Sequence, residues 1–165
     1  MLARVCVPLA LVSILAACGG SQKAQPSSST LLRGPGFSFA SPRGWTVRRS
    51  GTVLEARSGK ALVSATSFTL LKRYDPRLFG QVVAELDRNA RKLAAQAQGT
   101  LTEKATAAVA GRKTRVYRYT ARGYSTRLGF VLAGKREIQL LCRAPSDTPD
   151  PDGACTLLFT SFVLG

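Results

Sequence analysis

The sequence predicts an α+β domain, an antiparallel sheet of about six to seven strands covered by one long helix over about 76–98 and a C-terminal helix over about 151–163. Three observations carry this. Apolar segments that alternate with polar residues are joined by short Gly-containing turns, which are too short for the crossovers that parallel strands need. One long segment between Asp75-Pro76 and Gly99 repeats apolar residues at helical spacing. The tail shows the same start signal at Asp150-Pro151, followed by apolar residues at i, i+3 and i+4.

Taken in order, Phe37-Ser38-Phe39 and Trp45-Thr46-Val47 alternate as short strands on either side of the Ser41-Pro42-Arg43-Gly44 turn. Val53 to Arg57 and Ala61 to Leu70 follow as a hairpin about Ser58-Gly59. In the second of these, Leu62, Phe68 and Leu70 share a parity and are expected to face the core, with the small Ser64 and Thr66 between them. The long helix begins with Asp75 as N-cap and Pro76 at its first position, and Gly99 lies just past its end. Leu78, Phe79, Val82, Val83, Leu86, Ala90, Leu93, Ala94 and Ala97 form its stripe, and Arg88, Arg91 and Lys92 lie mainly off it, so this helix is expected to cover a sheet face.

Thr100 to Ala107, Lys113 to Thr120, Tyr124 to Ala133 and Arg136 to Arg143 then read as consecutive antiparallel strands. Tyr124, Leu128, Phe130 and Leu132 share one face of their strand, and Ile138, Leu140 and Cys142 share one face of the next. The tail has strand propensity, but Cys155, Leu158, Phe159, Phe162 and Val163 follow the helical pattern, and helix is preferred there.

The 165 residues carry 24 Lys+Arg against 9 Asp+Glu, a formal net charge of +15, with no His. The missing His removes Ser-His and Cys-His nucleophile pairs, the commonest general base, and every His-containing metal site. No paired carboxylates, phosphate loop or nucleophile elbow stands out. Glu85 and Asp87 lie two apart on the helix and do not face each other. Asp147, Asp150 and Asp152 read as turn and cap residues, and Gly34 and Gly36 lack the helix that a dinucleotide loop requires. The chain is read as a non-enzyme, with no metal and no cofactor expected.

At the N-terminus, Arg4 precedes an apolar run from Val5 to Ile14, too short to span a bilayer and of secretory length. The run ends in Leu15-Ala16-Ala17-Cys18, and residues 1–17 resemble a bacterial lipoprotein signal with its lipobox. The resemblance implies cleavage between Ala17 and Cys18, acyl chains such as palmitate on Cys18, and a place on the extracytoplasmic face of the cell membrane. An ordinary secretory signal and a short transmembrane anchor are the alternatives. Residues 18–30, rich in Gly, Ser, Gln and Pro, read as a flexible linker, and residues 31–165 as one domain.

Of the 4 Cys, only Cys142 and Cys155 belong to that domain. An even pair in an exported chain reads as a disulfide; two buried thiols or half of a metal site are the other readings.

The opening Phe37, Phe39, Pro42 and Trp45, the order of strands and long helix, Ala110-Gly111 opening a strand and the terminal Ser161-Phe162 together resemble the PsbP/Mog superfamily of α/β/α sandwiches. The nearer likeness is to its exported actinobacterial Lpq-type lipoproteins, and it covers roughly Gly36 to Leu164. The resemblance implies a non-catalytic binding or accessory module of the cell envelope, and it carries over no functional residue.

The strongest functional signal is charge. Arg112, Lys113, Arg115, Arg118, Arg122 and Arg127 fall in one acid-free stretch interleaved with Tyr117, Tyr119 and Tyr124. This run reads either as a solvated surface or as a face for anionic lipid, wall polymer or an acidic protein partner; the export signal argues against nucleic acid. A different class of function, a small-ligand or lipid carrier, would use a pocket between sheet and helix lined by Trp45, Phe68, Phe79 and Tyr119.

Overall fold

The computed structural model describes residues 28–165, so the signal reading, Ala17, Cys18 and most of the linker lie outside the described residues. The described residues form a seven-stranded sheet, a separate three-stranded sheet and two α-helices. In the large sheet β3 (Thr46–Ser50), β4 (Val53–Ser58), β5 (Ala61–Thr69), β6 (Thr100–Val109), β7 (Arg112–Ala121), β8 (Tyr124–Ala133) and β9 (Arg136–Pro145) lie in the order β3-β4-β5-β9-β8-β7-β6. Every pair is antiparallel; the short turns require this of consecutive strands, and the non-consecutive β5 and β9 pair the same way.

Helix α1 (Phe79–Gln96) follows a 3₁₀ turn at Pro76–Leu78, where Asp75 Oδ1 accepts from Arg77 N–H at 2.9 Å. Its buried residues, Leu86, Ala90 and Ala94, repeat every fourth position, and Leu86 and Ala90 pack over β8 and β7 with Tyr117, Leu128, Phe130 and Leu132. The rest of the expected stripe is only half-buried, and Leu78 is exposed, because α1 covers the β6 to β8 half of the sheet and no more.

The second face is covered by α2 (Ala154–Ser161) and by the small sheet of β1 (Ser29–Gly34), β2 (Phe37–Pro42) and β10 (Val163–Leu164). Phe37, Phe39, Trp45, Leu54, Val63, Ile138, Leu140, Leu158, Phe159 and Phe162 form its core. Phe37 and Phe39 thus leave the main sheet. β1 begins at Ser29, two residues inside the stretch read as linker.

Two further expectations are corrected. The C-terminal helix ends at Ser161 rather than 163, because Val163 and Leu164 turn extended and pair with Ser38 and Phe37. Ser161 makes that exit: its Oγ donates to Leu157 O at 2.6 Å and accepts from Ala40 N–H at 2.8 Å. In β5 the fully buried residues are Val63 and Ala65, which face α2, while Phe68 is 46% exposed. Phe68 does lie on the α1 face, but beyond the part that the helix covers.

Cys142 on β9 and Cys155 on α2 form a disulfide with Cα atoms 5.3 Å apart. Asp150 completes the junction by accepting from Cys155 N–H at 2.6 Å and from the Thr156 hydroxyl at 2.6 Å.

Candidate functional site

Strand alternation divides the basic run between the two faces of the sheet. Lys113, Arg115, Tyr117 and Tyr119 face α1, whereas Arg112 and Arg118 lie on the other face with the buried Thr114 and Val116. Arg118 stands directly opposite Arg127. The six residues therefore do not form one surface, and four of them are engaged within the protein. Arg115 binds Asp87, Arg118 binds Glu103, and Arg122 donates to Gln98 Oε1. The Arg127 guanidinium lies 4.2 Å from the centre of the Phe159 ring, and burial pulls its pKa down.

Asp87 of α1 is the hub of the helix-to-sheet contact. Its Oδ1 accepts from Arg115 Nε at 3.0 Å and from the fully buried Tyr117 hydroxyl at 2.6 Å, and Lys104 Nζ lies 3.7 Å from Oδ2. The Arg115 hydrogen bond holds the Asp87 carboxyl below the usual range, and burial raises the Tyr117 phenol. Every polar group here is satisfied from within the chain, which makes this a structural network.

Arg112 and Lys113 are different. They line a cleft of about 380 Å³ with Tyr74, Pro76, Arg77, Gly111 and Leu132. None of its cations has an ion-pair partner among the described residues. Four local features build it. Tyr74 N–H donates to Gly134 O at 2.7 Å, which fixes the wall against the β8–β9 turn. The 3₁₀ turn projects Arg77, and the first turn of α1 behind it carries no acid to offset the helix dipole. The β6–β7 turn has Ala110 at φ 49° and Gly111 at φ 68°, the double left-handed conformation that lets two residues reverse the chain and place Arg112 at the rim. Leu132 gives an apolar patch. Burial, and then the Asp75 charge, push the Tyr74 phenol up, with Arg112 acting the other way. The arrangement can hold an anion against a partly apolar wall.

The cleft belongs to a larger pattern. The turns at 35–36, 70–77, 110–111 and 134–135 meet at one end of the sheet, since Leu70 N–H and Tyr74 N–H bond the 134–135 turn and Gly36 lies against Arg136. That end carries Lys72, Arg73, Arg77, Arg112, Lys113, Lys135 and Arg136 against Asp75 and Glu137. The opposite end gathers the turns at 43–44, 59–60 and 122–123 and the 146–153 loop, where Arg43, Arg57, Lys60 and Arg122 are nearly balanced by Asp147, Asp150 and Asp152. Asp152 there accepts from Trp45 Nε1–H at 3.1 Å. The chain enters the domain at this balanced end, where Ser28 O accepts from Arg43 N–H at 2.9 Å.

Sequence reasoning named Arg112 and Lys113 but missed Tyr74, Arg77 and Leu132; the available signal was Lys72-Arg73-Tyr74-Asp75-Pro76-Arg77, a basic helix start. The four aromatics named for a carrier pocket do not meet. Trp45 packs under α2, Phe68 and Tyr119 are separated by β9 and β8, and Phe79 opens α1. Phe68 instead edges a groove of about 270 Å³ with Leu93, Phe130, Glu137 and Gln139. Glu137 forms no ion pair among the described residues, and burial raises its pKa. No described helix is long and apolar enough to cross a membrane.

No family model and no curated protein matches the sequence. Among solved structures, cyanobacterial PsbP (CyanoP) from Synechocystis sp. PCC 6803 superposes with a TM-score of 0.65 at 14% identity, over 92% of this chain and 99% of that one. The fold is PsbP-like. A crystal structure from Bacteroides thetaiotaomicron VPI-5482 matches at a TM-score of 0.53 and 11% identity, over 86% of this chain and 49% of that one, so the chain spans about half of it. At these identities the likeness concerns the fold, and the cleft of this PsbP-like domain stands on its own geometry.

Proposed function

We propose that the protein is an extracytoplasmic lipoprotein, held to the membrane through acyl chains on Cys18, that serves as a non-catalytic accessory module binding an anionic partner. The observation that carries the binding role is the cleft lined by Arg77, Arg112 and Lys113 with no acidic lining residue. The Leu15-Ala16-Ala17-Cys18 sequence after an apolar run supports the anchor. Two acyl chains suffice for stable attachment where one is marginal, since each buried CH₂ contributes about 0.8 kcal/mol. The PsbP-like fold supports an accessory role by analogy of architecture alone.

The test is metabolic labelling with an alkynyl palmitate analogue in the expressing bacterium, followed by membrane fractionation. Labelled, membrane-bound wild type and unlabelled, released Cys18→Ser are expected. Label retained on Cys18→Ser, or wild type without label, contradicts the anchor.

A further inference from the structure

Two lengths decide which way the cleft faces, and this inference rests on the Cys18 anchor proposed above. Strands β7, β8 and β9 have 10 residues each and span the distance between the balanced end and the basic pole, about 33 Å at roughly 3.3 Å per residue. Residues 18–28 can span at most about 35 Å whatever their conformation. They join the domain at the end opposite the cleft. Turning the cleft end squarely onto the bilayer would lift the entry point about 33 Å above it, nearly the whole span those residues allow. The tether therefore favours orientations in which the entry end lies nearest the bilayer and the basic pole farther from it.

The pole also resists the neutral explanation that this chain is basic everywhere. Four of its acids are paired with Arg57, Arg88, Arg115 and Arg118, away from the cleft, and Asp75 and Asp150 accept backbone N–H bonds at helix starts. Asp75, the acid beside the cleft, has Oδ1 occupied by the Arg77 N–H. Three cations without ion-pair partners among the described residues, with rotatable or forked donors, a phenol and an apolar wall suit a tetrahedral oxyanion carried on an organic chain.

We propose that the cleft lined by Tyr74, Arg77, Arg112, Lys113 and Leu132 seats a phosphate group of a polyanion lying on the far side of the domain from the anchoring bilayer. A phosphate-linked polymer would then run across the pole, with one phosphate in the cleft and others against the flanking turns.

The experiment uses the full lipidated chain in neutral detergent micelles and titrates fluorescent linear polyphosphate. Arg112→Gln with Lys113→Gln should weaken binding about tenfold and flatten its salt dependence by one to two counterions. Arg43→Gln with Lys60→Gln removes the same charge at the other end and should change affinity less than about twofold. Equal weakening by the two pairs, or none by the first, overturns the site. Inorganic phosphate competing as well as the polymer at equal phosphate concentration overturns the polyanion. In a second arm the protein sits in phosphatidylcholine or phosphatidylglycerol vesicles. Equal polyphosphate binding in both, after correction for vesicle surface charge with the Arg43/Lys60 variant, is expected, and loss in phosphatidylglycerol alone overturns the outward orientation. Failure to remain on vesicles would refute the anchor and leave the micelle result standing.

Discussion

Replacing Asp87 by Asn should be among the most damaging single-charge changes in the protein. The carboxylate accepts from Arg115 Nε at 3.0 Å, Arg115 Nη2 at 3.3 Å and the Tyr117 hydroxyl at 2.6 Å, and the Asp87 and Arg115 side chains are only 15% and 16% exposed. Hydrogen bonds to charged groups are worth about 1.5–3 kcal/mol each. Asn keeps one acceptor for Tyr117 but turns an NH₂ toward Arg115, so the expected net loss is about 2–3 kcal/mol. Urea unfolding followed by the fluorescence of Trp45, the single Trp, reads this directly. Tyr117→Phe should cost about 1 kcal/mol, and the two changes should couple by at least about 0.5 kcal/mol because they share one oxygen. The pH dependence has a fixed sign. A carboxyl held below its unfolded value of about 3.9 adds stability above that value and loses it as pH falls through the folded value. The gap between wild type and Asp87→Asn should therefore be full at neutral pH and close below about pH 4. A neutral-pH difference under about 0.5 kcal/mol, or a gap that widens in acid, would refute the reasoning.

Three other outcomes are expected. Removing the Cys142–Cys155 link by Cys155→Ser, which opens a closure with a sequence separation of 13, should cost about 3 kcal/mol by chain entropy; native protein whose two thiols alkylate freely would contradict the link. Gly129→Ala should destabilise by about 1–3 kcal/mol, because its Cβ would meet Phe159 Cε1 at 2.7 Å and disturb the ring under Arg127; a neutral result in urea unfolding would show that the ring yields. Glu137→Gln should raise stability at neutral pH, since burial of an unpaired carboxylate raises its pKa and makes the native state gain stability as pH falls; a loss would reveal a partner for Glu137.

Much of the fold could be read from local chemistry. Asp75-Pro76 and Asp150-Pro151 mark both helix starts within a few residues, because a cap and a fixed φ act locally. The two-residue turns fix antiparallel order from β6 to β9 for the same reason. What depended on distant partners was not legible. Nothing within β5 tells Phe68 that α1 stops short of it, and Val163 leaves its helical pattern only because β2 has an open edge 121 residues away from the Ser161 that makes the turn. The division of the basic run was legible and was missed: Arg112 and Arg118 differ in parity from Lys113 and Arg115, so a strand must send them to opposite faces. The cleft joins a loop, two turns and a strand end, and Arg77 and Leu132 share it only after the sheet has formed.

The central claim is that anchor and binding pole lie at opposite ends of the domain. Lys60→Cys and Lys135→Cys place single labels on exposed turns at those two ends. The measurement is quenching of each label by headgroup-quencher lipids in vesicles bearing the lipidated protein. Strong quenching at position 60 and weak quenching at position 135 is the predicted result. Equal or stronger quenching at 135 would contradict it, placing the basic cleft on the bilayer itself.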